Sequence, residues 1–162
     1  MILVMLGTHE RPFYRMAKEI ENLMHEGKIK EKVIIQLGFT DYFVKGAECF
    51  RFIERIKIEK YIKNCDVLIT HGGLASIMEG IKAGKPVVAV PRRKMFNEHS
   101  DDHQLQIVEE TKKRGSVIPV YDIENLYDAI KKAKKLKIKK RRYMPTKMLR
   151  LVDKRLEEWS KT

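Results

Sequence analysis

The sequence predicts an α/β domain built on a doubly wound parallel sheet, and two observations carry this. The strand-like runs "ILVML", "KVIIQLG", "DVLIT" and "KPVVAVP" are continuously apolar instead of alternating, the pattern of strands covered on both faces. They also take turns with helix-period segments across short connections, as the crossover units of a parallel sheet do.

The elements follow in chain order. "ILVML" (2–6) is a first strand, broken by "GTHERP". Phe13, Met16, Ala17, Ile20, Leu23 and Met24 then recur at helical spacing and predict a helix closed by Gly27. "KVIIQLG" (32–38) is a second strand. "FTDYFVKGAECFRFI" (39–53) is irregular, with room for one short strand. "RIKIEKYIKNC" (55–65) reads as a helix with Ile58, Tyr61 and Ile62 on one face. "DVLIT" (66–70) is a strand, "LASIMEGIKAG" (74–84) a helix ending at Gly84, and "KPVVAVP" (85–91) a strand bounded by prolines. "SDDHQLQIVEETKKRG" (100–115) predicts a helix with Ser100 or Asp101 as N-cap. "SVIPVY" (116–121) is a short strand, and "IENLYDAIKKAKKL" (123–136) a helix capped by Asp122. After Pro145, "TKMLRLVDKRLEEW" (146–159) makes a last helix.

At 162 residues the chain suits one domain, and 43% hydrophobic residues can fill a core. Cys49 and Cys65 make no disulfide framework and read as free thiols. No apolar run approaches the roughly 18–20 residues that span a bilayer. "MILVMLG" is too short and too soon polar for a signal peptide. The net charge of +12 is concentrated. "KKAKKLKIKKRR", Lys131 to Arg142, holds nine basic and no acidic residues, and without it the net charge is +3. That segment is either a solvated helix face or a patch for anionic lipid or nucleic acid. Aromatic residues for base stacking are not interleaved with it.

In an open parallel sheet, ligands bind at the carboxyl ends of the strands. Three loops of unusual content lie there. In "HGGLAS", Gly72 and Gly73 let the backbone approach a ligand, and the N–H groups opening the next helix suit a phosphate. Ser76 adds a hydroxyl, and Glu79, a turn on, is placed for ribose hydroxyls. The same loop is also consistent with a tight turn holding no ligand. It is neither a Walker A loop nor G-x-G-x-x-G. "GTHERPF" repeats the theme with Gly7 and Thr8, and its His9 is a base, a donor or a solvated loop residue. "NEHSDDHQ" places His99 and His103 at i, i+4 beside Asp101 and Asp102. This reads either as metal ligands or, through His103 and Gln104, as hydrogen bonding to a many-hydroxyl ligand.

Together these loops resemble the C-terminal domain of family-28 glycosyltransferases of GT-B fold. "DVLITHGGLASIMEGIKAGKPVVAVP" followed by "DDHQ" is similar to that domain's UDP-sugar signature, which MurG-type enzymes share. "GTHERPF", "VIIQLGFTDY", "THGGLASIM" and "VPRRKMFNEHSDDHQ" resemble stand-alone versions most. Those are the catalytic subunit of the two-component UDP-GlcNAc transferase of dolichol-linked oligosaccharide synthesis, and bacterial polysaccharide-biosynthesis subunits that pair similarly. The resemblance covers about residues 1–130. It leaves 131–162 as a basic segment and terminal helix that pack on the domain or on a partner.

The resemblance implies a single Rossmann-like sheet, equivalent to the C-terminal half of a GT-B enzyme. It implies that Gly72, Gly73, Leu74, Ala75 and Ser76 hold the diphosphate, with Gly7 and Thr8 beside it. Glu79 binds the ribose, and His103 and Gln104 contact the donor sugar. Glu98, His99 and either Arg92 or Arg93 match the polysaccharide subgroup without an assigned role. The reaction implied is an inverting transfer from a UDP-sugar to a lipid-linked sugar acceptor. No D-x-D motif occurs, which fits metal-independent chemistry with no cofactor. His9 is the first candidate for the general base. Because the acceptor half of a GT-B enzyme has no counterpart here, a membrane-anchored acceptor-binding subunit is expected. It would hold the chain at the cytoplasmic face of the membrane, with anionic lipid as a further contact and no nucleic acid. A docked last helix would bury Leu149, Val152, Leu156 and Trp159. Two other classes are a non-enzymatic nucleotide- or nucleic-acid-binding module using the basic segment, and a metallohydrolase.

Overall fold

The computed structural model describes residues 1–113 and 117–136. Six strands form one parallel sheet: β1 (Ile2–Met5), β2 (Val33–Gln36), β3 (Glu48–Phe50), β4 (Val67–His71), β5 (Val87–Val90) and β6 (Val117–Pro119). Their spatial order is β3-β2-β1-β4-β5-β6. β1 therefore lies between β2 and β4, with Met5 opposite both Gln36 and Thr70. This is the order of a dinucleotide-binding sheet, and the direction of winding reverses between β1 and β4.

Five helices cover it: α1 (Tyr14–His25), α2 (Arg55–Asn64), α3 (Leu74–Lys82), α4 (His103–Lys112) and α5 (Leu126–Lys135). Alternate strand residues face opposite sides, which gives two cores. Ile2, Val4, Val33, Ile35, Val67, Ile69, Val88 and Val90 pack with Met16 and Ile20 of α1 and Leu126 and Ile130 of α5. Leu3, Met5, Ile34, Leu68, Val87 and Ala89 pack with Ile62 of α2, Ile77 of α3 and Val108 of α4. Burial on both faces is the reason the strands read as unbroken apolar runs. The irregular stretch after β2 contains the one short strand expected of it, β3.

Three expectations are corrected. The boundary at residue 130 falls inside α5, whose Ala129, Ile130 and Ala133 are all buried in the first core, so the sheet domain continues through that helix. Asp122 precedes a 3-10 turn (Ile123–Asn125), and α5 begins only after it, with Asn125 at its N-cap. Helix α4 starts at His103, with Asp102 at the N-cap position instead of Ser100 or Asp101. The carboxylate that accepts the His103 N–H, at 3.0 Å, is nevertheless that of Asp101. Asp102 instead accepts the Lys94 N–H at 2.9 Å, which folds the preceding loop back on the helix start.

Part of the basic segment is the solvent side of α5, where Lys131 pairs with Asp128 at 2.7 Å and Lys134 with Glu31. Residues 137–142 and the expected helix 146–159, with Leu149, Val152, Leu156 and Trp159, lie outside the described residues. Among the described residues no helix is long and apolar enough to cross a membrane.

Candidate functional site

The reversal between β1 and β4 opens a crevice at their carboxyl ends, and the three loops singled out in the sequence converge there. Their common pivot is His71, the last residue of β4. Its Nδ1 accepts the Gly73 N–H at 3.0 Å. Its ring lies under both glycine loops. A Cβ on Gly7 would stand 2.7 Å from the ring, and one on Gly73 would stand 2.8 Å from Nδ1 and closer still to Cε1. Gly7 also has φ +88°, which side-chain-bearing residues rarely adopt. So the glycines after β1 and after β4 answer to one aromatic ring between them.

Gly73 caps α3 in an extended conformation with no side chain over the helix end. The N–H groups of Leu74, Ala75 and Ser76 have no partner within the helix and point out of its positive end. The Ser76 hydroxyl lies 3.4 Å from His71 Nε2. Thr8 is exposed beside Gly7. Glu79 sits half-buried on α3, 4.0 Å from Arg55 of α2, and burial raises its pKa.

Gln104 is buried rather than presented to solvent. Its Oε1 accepts the Arg92 N–H at 3.0 Å, so its carbonyl is committed to the loop after β5. His103, next to it, is half-exposed, and its Nδ1 meets the Asp101 carboxylate.

Two buried polar residues that sequence reasoning left without a role hold the loops in place. Arg92 is 1% exposed. It donates through Nη1 to the carbonyls of Arg11 and of Glu98 (3.0 Å), and through Nη2 to that of Leu6 (2.8 Å). It thereby ties the end of β1, the His9 loop and the loop after β5 to one guanidinium. Gln36, at the end of β2, accepts the Gly7 N–H at 3.2 Å and donates to the Gly7 carbonyl at 3.3 Å. Glu98 takes both oxygens to Arg15, each at 2.9 Å, and also accepts the Arg93 N–H. A polar residue at the end of a buried strand was the available signal for Gln36. Arg92 was marked only by its place in "VPRRKMFNEHSDDHQ", which gave it no role.

The histidine tautomers follow from these bonds. His9 Nδ1 accepts the Arg11 N–H at 3.1 Å, and His99 Nδ1 accepts that of Asp101 at 3.4 Å. A neutral ring that accepts at Nδ1 carries its hydrogen on Nε2. For His9 the Nδ1 lone pair is taken up by its own loop, so a base role would fall to Nε2. His103 has the opposite arrangement, with Nδ1 turned to Asp101 and the Nε2 lone pair available.

His99, Asp101 and His103 have ligand atoms within 4.8 Å of one another. The surrounding charge favours an anion over a dication. Arg92 and Arg11 act electrostatically on both His9 and His99, and the Glu98 carboxylate is already paired with Arg15. Two cavities among the described residues lie elsewhere. One of about 500 Å³ involves Cys65, Asp66 and Lys85 at the amino end of the sheet, and one of about 300 Å³ lies between Tyr14, Arg15 and Phe96. The expected site residues line neither of these.

Burial, with Arg92 second, pushes the His71 pKa down to about 4. The unfolded chain protonates this residue near 6.5, so it binds more protons than the folded one between those values. Stability therefore falls as pH drops from about 6.5 to about 4, by roughly 3 kcal/mol for this residue. Urea unfolding of the wild type and of His71→Gln across that window should show the slope shrinking in the variant. Parallel slopes would remove His71 as the cause.

Residues 1–156 match the model of the glycosyltransferase family 28 C-terminal domain. The chain belongs to that family.

Relatives of this family 28 domain include an NDP-glycosyltransferase YjiC of Bacillus licheniformis, 35% identical over 97 residues, which are 56% of this chain and 23% of that protein. Another is the UDP-N-acetylglucosamine transferase subunit ALG13 of Candida albicans, 33% identical over 79 residues, 49% of this chain and 25% of the relative. The human ALG13 subunit is 31% identical over 68 residues, 42% of this chain and 6% of its own length. The matches thus span about a quarter or less of these relatives. Among solved structures, the family 28 domain superposes on a kitacinnamycin glycotransferase with TM-score 0.65 at 18% identity, covering 84% of this chain and 35% of that one. It superposes on Acinetobacter baumannii MurG with TM-score 0.59 at 17% identity, covering 81% and 40%. The fold is that of one Rossmann-like half of a GT-B glycosyltransferase.

Proposed function

We propose that this family 28 domain is the donor-binding catalytic subunit of an inverting glycosyltransferase. The donor is a UDP-sugar, with UDP-GlcNAc first in line, and the acceptor is a lipid-linked sugar. One observation carries the reading. Two glycine-walled loops meet over His71 at the reversal of the sheet, with the open end of α3 between them. Such a cradle suits a diphosphate. The ALG13 relatives are UDP-N-acetylglucosamine transferase subunits, which supports the choice of donor and of a subunit role.

In this reading Gly72 to Ser76 hold the diphosphate with Gly7 and Thr8 alongside, Glu79 takes the ribose, and His103 faces the donor sugar, with the buried Gln104 holding the loop behind it. An acceptor hydroxyl attacks C1 in line. The C1–O bond to the diphosphate breaks, and its electron pair leaves with UDP. The helix N–H groups meet the charge that develops there, so no metal is needed. The acceptor proton goes to the exposed lone pair of His103, which Asp101 orients, or to a group of the partner. That partner is a membrane-anchored, acceptor-binding subunit that keeps the chain at the inner face of the membrane.

Calorimetric titration with UDP and with UDP-GlcNAc, in Mg²⁺ and in EDTA, is the test. Saturable binding that EDTA leaves unchanged is the expected result. No binding of either nucleotide would overturn the reading, and binding that requires Mg²⁺ would overturn the metal-free mechanism.

A further inference from the structure

The geometry points to His9 and His99 as a pair of neutral N–H donors that complete the diphosphate cradle. This inference deepens the reading above and rests on it for the nucleoside part of the ligand only. His9 comes from the loop after β1 and His99 from the loop after β5, 90 positions apart in the chain. Their rings lie 4.5 Å apart, tilted by 36°.

Two polar rings placed so close need a reason, and the bonds within the protein do not supply one. Each ring is fixed from its own loop, by the backbone N–H two residues ahead, which is donated to Nδ1. Each therefore presents Nε2–H away from its loop. The loops themselves are locked to each other. Arg11 donates to the His99 carbonyl at 2.9 Å and to Asn97 Oδ1 at 3.0 Å, while Arg92 holds the Arg11 and Glu98 carbonyls. Donors that are pre-aimed on rigid loops cost little reorganisation when a ligand arrives.

The charge environment selects the sign of the ligand. The charged groups acting on His9 are Arg92, Arg11 and Glu10, with His99 beside it. Those acting on His99 are Asp101, Arg92 and Arg11, with His103 beside it. Asp101 is engaged with His103, and the same carboxylate oxygen lies 3.3 Å from His99 Nδ1, on the side of the ring away from Nε2. Two guanidinium groups are thus set against an exposed Glu10 and an engaged Asp101. Burial comes first in lowering the pKa of both rings, and the guanidinium groups lower it further. The rings stay neutral at physiological pH and act as N–H donors without carrying a positive charge. His71 belongs to the same group electrostatically, since Arg92, His99 and His9 all lower its pKa. The Arg92 guanidinium that binds the Leu6 carbonyl, next to Gly7, also binds those of Arg11 and Glu98, so both histidine loops are tied to the strand end that carries the glycine loop.

The ligand class is a diphosphate, free or esterified. The experiment uses the full chain with UDP, UMP and inorganic pyrophosphate as probes, by calorimetry at pH 7.5. His9→Ala and His99→Ala should each weaken UDP and pyrophosphate about 10-fold or more, the loss expected when a hydrogen bond to a charged group disappears. UMP should weaken much less, so the preference for UDP over UMP collapses. His9→Gln and His99→Gln place an amide N–H near the position of Nε2 and should recover most of the affinity, which a purely structural role would not predict. Repeating the wild-type titration in buffers of different ionisation enthalpy should show net proton uptake near zero.

Alanine variants that keep the UDP-to-UMP preference while folded would overturn the inference. So would uptake of close to one proton, which would make the rings imidazolium ligands. Histidine-dependent pyrophosphate binding without UDP binding would keep this cradle and sink the UDP-sugar reading. Binding of neither would sink both.

Discussion

Replacing Arg92 by methionine is expected to destabilise the fold by about 3 kcal/mol and to abolish nucleotide binding. Methionine keeps much of the apolar stem but removes every donor. The carbonyls of Leu6, Arg11 and Glu98 then lose their buried partner. An orphaned buried polar group costs about 1–3 kcal/mol, so three would exceed the total if nothing offset them. The offset is the arginine's own desolvation, which already pushes its pKa down to about 10 and leaves its buried Nε without a partner among the described residues. The guanidinium also lies 4.8 Å from the Phe13 ring, a contact that methionine replaces in part.

In a domain of this size each kcal/mol moves the melting temperature by roughly 2–4 °C, so a drop of about 10 °C is expected. Differential scanning calorimetry measures it directly. Arg92→Lys should not rescue, because a single ammonium cannot span three carbonyls on three separate segments. A melting temperature within 2–3 °C of wild type would show that the loops do not depend on this residue.

Gly73→Ala is the second large effect. The residue has φ −75°, which alanine adopts freely, so backbone strain contributes nothing. The methyl group would instead press on the His71 ring, which must move. If it moves, the Nδ1 bond to residue 73 is lost and the first turn of α3 shifts with it. Overpacking of this kind costs about 1–3 kcal/mol. The expected effect on UDP affinity is a loss of 10-fold or more. The cause is separable by a double-mutant cycle. In a His71→Ala background the new methyl has room, and the further cost of Gly73→Ala should largely vanish. Equal costs in the two backgrounds would mean that something other than the ring confines Gly73.

The sheet and most helices were legible because burial on both faces leaves a local mark, as in "VVAV", and because Gly27 and Gly84 close helices where the pattern stops. Loop chemistry was legible where glycine is required, at Gly7, Gly72 and Gly73. The start of α4 was misread because Ser100 and Asp101 both looked like caps, and which carboxylate reaches which N–H depends on the fold of the preceding loop. The importance of Arg92 rests on contacts 81 and 86 positions away along the chain, and no local pattern reports those. The same holds for the proton on His9, whose placement depends on one backbone bond in a loop of irregular shape.

The two borders of the sheet have a consequence for how the molecule meets its neighbours. β3 and β6 are three residues long, and Pro119 in β6 has no N–H to offer. An added strand would find few donors and acceptors in register on either side. Growth of the sheet by strand addition, the usual route to self-association and fibrils, is blunted at both ends. What remains open for recognition among the described residues is the loop surface above the carboxyl ends, around the crowded His71 crevice.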